Sequence, residues 1–82
     1  MTNDQIRERI SKILTEDFKV PAERIHDEAE FRGTFGLDSL DIVDFILLLQ
    51  KDFGFKAQTS DYQEIRNVGM LVAFVEAKLD GV

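Results

Sequence analysis

The stretch Leu40-Asp41-Ile42-Val43-Asp44-Phe45-Ile46-Leu47-Leu48-Leu49 puts eight apolar residues into ten positions, and no other part of the chain limits the fold so strongly. Asp38 before it is a helix N-cap, and Gly54 after Phe53 is a helix stop, so the spacing predicts one helix from Asp38 to Phe53. Eight apolar residues are more than one helix face needs. Ile42, Phe45, Ile46, Leu49 and Phe53 make one stripe, suited to a core. Leu40, Val43 and Leu47 make a second, rotated away from the first, and an exposed apolar stripe points to a partner. The longest unbroken apolar run, Phe45 to Leu49, is far short of the roughly 20 residues a membrane helix needs.

Other segments repeat the helical period. Ile6, Ile10, Ile13 and Leu14 form a stripe on a helix expected from Asn3 to Asp17, opened by the capping-box pattern Thr2-Asn3-Asp4-Gln5. Val68, Leu71, Val72, Val75 and Leu79 form another on a last helix, with Asn67 as N-cap and Gly81 just beyond its end. A short third helix is expected over Ser60 to Ile65. Between Phe18 and Asp38 the period breaks. Pro21 can open a single turn there, Phe31 and Phe35 are expected to anchor the loop, and Gly33 and Gly36 to give it backbone freedom. A loop this long in a small domain is often functional. The fold expected is all-α: one domain over residues 1–82, a four-helix bundle of three longer helices and a short third, with a long loop between the first two.

Charge narrows the partners. A net charge of -6 disfavours nucleic acid, whose phosphates call for Lys and Arg, and favours partners with basic surfaces. With no cysteine there is no disulfide framework, thiolate metal site or thiol nucleophile. The opening residues lack a signal-peptide pattern, so a monomeric cytoplasmic protein is expected, not a membrane protein. Asp27, Glu28 and Glu30 lack the spacing of a calcium loop, and no metal is expected. The single histidine, His26, lies in the loop, away in sequence from any nucleophile, and no hydrolytic constellation is visible.

The informative stretch is Gly36-Leu37-Asp38-Ser39-Leu40-Asp41. Taken by themselves these residues are explained by helix capping, with Asp38, Asp41 and Asp44 also favouring the helix dipole. Asp38-Ser39-Leu40, preceded by Gly36-Leu37 and followed by Asp41, resembles the phosphopantetheine attachment motif of acyl carrier proteins. The likeness continues through Phe53-Gly54-Phe55, the short helix, Ile65-Arg66-Asn67-Val68 and the last amphipathic helix, without a gap from Gly36 to Val75.

The resemblance implies a carrier, not an enzyme. Ser39, beside Asp38, would take 4'-phosphopantetheine from coenzyme A through a separate phosphopantetheinyl transferase. The cofactor would bring the thiol that the chain lacks. Acyl-loading and acyl-using enzymes of fatty acid, polyketide or related biosynthesis would meet Leu40, Asp41, Val43, Asp44 and Leu47. Ile42, Phe45, Ile46, Leu49, Ala57, Ile65 and Leu71 would line an acyl pocket that is closed in the unloaded protein. The chain departs from the family's pattern at Thr34-Phe35, at Gln50 and Lys51 (followed only by Asp52), and at Ala57-Gln58, which suggests a carrier for a specialised pathway. The alternatives are a peptidyl or aminoacyl carrier and a helical adaptor that is never modified.

Overall fold

The computed structural model describes residues 2–80 and contains four α-helices and one turn of 3-10 helix. Gly81, expected just past the last helix, lies outside the described residues. The first helix, α1, spans Asn3–Asp17. Its expected capping box is present: Thr2 Oγ1 accepts from the Gln5 amide at 3.2 Å and Gln5 Oε1 accepts from the Thr2 amide at 2.8 Å. The helix ends at Phe18, and Lys19, at φ 58°, turns the chain so that the Val20 amide reaches the Leu14 carbonyl at 3.0 Å. Pro21 caps the 3-10 turn Ala22–Arg24.

The second helix, α2, runs Ser39–Phe53, with Asp38 as N-cap and Gly54 as C-cap at φ 77°. Both ends stand where the sequence puts them, since a left-handed cap costs least at glycine. The last helix, α4, spans Val68–Asp80, and Asn67 Oδ1 accepts from the Met70 amide at 2.8 Å. The short α3 is Thr59–Tyr62, not the expected Ser60 to Ile65. Its end is drawn tight by the Ile65 amide on the Tyr62 carbonyl, after which residues 66 and 67 are extended. They have to be extended, because Asn67 forms an antiparallel bridge with Glu30 and the Phe31 amide bonds the Arg66 carbonyl at 3.0 Å.

The three longer helices share one core: Ile6, Ile10 and Leu14 of α1, Phe45, Ile46 and Leu49 of α2, and Val68, Leu71, Val72 and Val75 of α4. Helix α1 packs against both α2 and α4. Residues of the long loop complete the core, with Val20, Ala29, Phe31 and Leu37 all buried. The Phe45 ring meets Phe18 edge-on at 5.7 Å and Phe31 at 5.6 Å, and Phe31 in turn meets Phe35 at 6.0 Å. Phe31 and Phe35 are therefore anchors, as expected.

The loop is also tied by its backbone. The first amides of α4 need acceptors from outside the helix. Ala29 supplies one to Val68 at 3.1 Å and Asp27 another to Gly69 at 2.9 Å. A Cβ at position 69 would stand 3.2 Å from the Asp27 carbonyl oxygen, so glycine permits this close approach. Arg7 of α1 clamps the same Asp27 with two hydrogen bonds, at 2.9 and 2.8 Å. Gly36, at φ 71°, uses the backbone freedom expected of it, whereas Gly33 does not take a positive φ. At Gly33 a Cβ would instead meet the Glu30 carboxylate at 2.6 Å.

Candidate functional site

The turn that opens α2 is built by two aspartates. Asp38 Oδ1 accepts from the Asp41 amide at 2.8 Å, and Asp41 Oδ2 accepts from the Asp38 amide at 3.3 Å. This reciprocal box fixes the first turn of the helix. Ser39 is the first helical residue and is exposed. Its Oγ accepts a hydrogen bond from Nη2 of Arg32 at 2.8 Å.

Arg32 was not among the expected site residues. The sequence did hold a signal: Arg32 is the sole Lys or Arg between Arg24 and Lys51, in a stretch rich in acid. Its distance to Ser39 depends on how the loop folds back, which no linear pattern gives. Here the Leu37 amide bonds the Phe31 carbonyl at 2.9 Å, and the intervening residues bulge so that Arg32 meets Ser39.

Beside Ser39 lies an open depression of about 590 Å³. Phe31 and Arg32 of the loop form one wall, Ile42 and Val43 of α2 a second, and Ile65 and Arg66 a third. The residues expected to line an acyl pocket divide into two sets. Ile42 and Ile65 border the depression, whereas Phe45, Ile46, Leu49 and Leu71 are buried in a filled core and Ala57 is half-buried.

The outward stripe is exposed as expected: Leu40 at 75%, Leu47 at 56% and Val43 at 37%. Leu48 and Met70 add further exposed apolar surface. Asp44 is exposed on α2, so an acidic row runs beside the apolar one. His26 lies 3.9 Å from Glu28, at the Asp27 end of the loop, and Asp27 is occupied by Arg7. Among the described residues no group of three His, Cys, Asp or Glu could hold a metal ion.

Several residues that suggested a specialised pathway have local tasks. Gln50 Oε1 accepts from the Ala57 amide at 3.1 Å. Thr34 Oγ1 accepts from the Glu30 amide at 3.0 Å, Phe35 packs on Phe31, and Asp52 pairs with Arg9 at 2.7 Å. Lys51 stands in the last turn of α2, where a cation favours the helix dipole.

The family model for the phosphopantetheine attachment site matches residues 8–75. An acyl carrier protein from Saccharopolyspora erythraea is 38% identical over 69 residues, covering 84% of this chain and 73% of the relative. One from Thermotoga maritima is 31% identical over 78 residues, covering 95% and 96%. The crystal structure of an acyl carrier protein from Thermotoga maritima superposes with a TM-score of 0.85 at 23% identity, over 96% of this chain and 92% of that one. A structure of the acyl carrier protein from Enterococcus faecalis gives 0.79 at 24% identity, over 95% and 99%. At these identities the two structures speak to the fold alone, and both are similar to it over nearly the whole chain.

Proposed function

The chain belongs to the acyl carrier protein family, and from that premise we propose that Ser39 is the residue that bears its 4'-phosphopantetheine arm. When bound, the arm supplies a thiol on which acyl groups are carried as thioesters. The residues around Ser39 fit such a group. The hydroxyl is exposed on the first residue of a capped helix, it borders an open depression, and a cation, Arg32, donates to it. That exposed, oriented hydroxyl is the observation that carries the reading.

Asp38 and Asp41 act by holding the turn, so that Ser39 Oγ is presented in one place to a transferase. No neighbouring base is needed in the chain itself, because a separate phosphopantetheinyl transferase acting on coenzyme A supplies the proton acceptor. The chain is thus a carrier and not an enzyme. Leu40, Val43 and Leu47, with Asp41 and Asp44 beside them, form the face that docks acyl-loading and acyl-using enzymes. Basic surfaces on those enzymes would be steered in by the net charge of -6. Among the described residues no helix is long and apolar enough to cross a membrane. The filled core at Phe45, Leu49 and Leu71 supports sheltering of an acyl chain only after Ile42 and Ile65 part.

Intact-protein mass tests this directly. The chain is incubated with coenzyme A, magnesium and a broad-specificity phosphopantetheinyl transferase, beside Ser39→Ala. One added phosphopantetheine in the parent and none in the variant is the expected result. No addition to the folded parent, alongside a working control carrier, would favour an adaptor that is never modified.

A further inference from the structure

The carrier reading gives Ser39 a task but leaves Arg32 without one. Arg32 is exposed, yet its guanidinium is directed at Ser39 Oγ, 2.8 Å away. Among the described residues it makes no ion pair, although Arg7, Arg9 and Lys78 do. A guanidinium is matched to two anionic oxygens by its fork of donors. A neutral hydroxyl can use only one of those donors.

The helix end is already partly occupied and rich in acid. Free amides at a helix N-terminus attract phosphate. At α2, however, the Asp41 amide is taken by Asp38 and the Asp38 amide by Asp41. Both carboxylates sit in the turn that holds Ser39, and Asp44 follows one turn on. A phosphodiester at Ser39 adds another negative charge to that turn, and Arg32 is the cation already in reach. Its donor stands 2.8 Å from Oγ, and the phosphate's free oxygens lie just one bond beyond the phosphorus attached to Oγ.

We propose that Arg32 is the phosphodiester-binding residue of the loaded protein, and that it rests on the assignment of Ser39 as the attachment site. After modification the guanidinium leaves Oγ and donates to the non-bridging oxygens. The root of the arm is thereby held toward the loop wall of the depression, with Ile42 and Ile65 ahead of it. Arg32 is a positioning residue: no bond to it forms or breaks. Lysine would keep the charge but lose the fork.

The test uses the full chain loaded with phosphopantetheine, as the parent, Arg32→Ala and Arg32→Lys. Intact mass establishes one adduct on each, and phosphorus NMR then reads the phosphodiester. The expected result is a parent resonance displaced from that of Arg32→Ala, with the displacement closed by added salt and partly kept in Arg32→Lys. The Arg32 side-chain N–H signals of the parent should also move between the unmodified and loaded forms. The same phosphorus resonance in all three loaded proteins, with Arg32 signals unmoved by loading, would overturn the role of Arg32 and leave Ser39 standing. No adduct on any of the three would overturn the Ser39 assignment, and the role of Arg32 with it.

Discussion

Residues 18–38 and residues 54–67 flank α2 on either side, and they are held by different means. The first connection is the longer and the less regular, with one 3-10 turn between α1 and α2. It buries Val20, Ala29, Phe31 and Leu37, gives two carbonyls to the start of α4, and is clamped to α1 through Asp27. The second contains a helix, α3, but buries only Phe55 among its described side chains. Its hydrogen bonds are mostly local, Asp61 amide to Gln58 carbonyl, Ile65 amide to Tyr62 carbonyl and the Ala57 amide to Gln50, with the Phe31 amide on the Arg66 carbonyl as a long-range tie at its end. Regular structure and firm anchoring are therefore separate properties. Firmness comes from buried side chains and from backbone groups paired over long sequence separations. The two connections both line the depression beside Ser39, so a firm wall bearing Arg32 adjoins a looser wall bearing Ile65.

The strongest test of this difference is Phe31→Ala. Phe31 is 3% exposed and its ring meets those of Phe35 and Phe45. Loss of a buried Phe costs about 3–5 kcal/mol. A small domain has about 5–15 kcal/mol in all, so much of the stability should go. Urea unfolding followed by circular dichroism measures the loss. A cost near that of an exposed substitution would mean that the loop is not the firm wall.

Acid unfolding separates the connections more finely. The two hydrogen bonds from Arg7 hold Asp27 below the usual carboxylate pKa of 3.8. Asp61 is also lowered, first by the Gln58 amide at 2.9 Å and then by Lys78 at 3.6 Å. A carboxyl lowered in the folded state gives stability that is whole above its unfolded pKa and is lost as pH falls through its folded pKa. Both contributions are thus present at neutral pH and fade below about pH 4. The Asp27 contact joins residues 20 apart, whereas the main Asp61 contact joins residues three apart. Asp27→Asn should therefore flatten the acid limb of stability more than Asp61→Asn, which keeps an oxygen for the Gln58 amide. Added salt should weaken both effects, because both sites are solvent-accessible. Equal flattening, read from urea midpoints between pH 2 and 5, would erase the distinction.

The same contrast explains what could be read from the linear chain. The limits of α1, α2 and α4 are set by local chemistry: Thr2 with Gln5, Asp38 with Gly54, and Asn67. Spacing reveals each of these. So too the outward stripe of Leu40, Val43 and Leu47, which follows from helical period alone. The end of α3 escaped because it is decided by pairing of residues 66–67 with Glu30 and Phe31, more than thirty positions away. Lys19 escaped because a left-handed backbone at a lysine has no compositional sign. Arg32 escaped for a third reason: the folded loop, not sequence spacing, brings it to Ser39.

Ile65→Val is the mildest probe and works on the looser wall. Ile65 is half-buried against the core and borders the depression. Ile→Val in a core costs about 0.5–1.5 kcal/mol, and partial burial puts this site at about 0.5 kcal/mol or below. A wall that already yields can close over one missing methylene, which keeps the cost low. Thermal unfolding of the unmodified protein should therefore fall by no more than a few degrees, about 2–4 °C, since about 1 kcal/mol moves a domain of this size by 4–8 °C. A cost approaching that of Phe31→Ala would show Ile65 to be packed as tightly as the loop. The two walls would then be equally firm, and an acyl chain entering between Ile42 and Ile65 would have to displace core packing, not a loosely held segment.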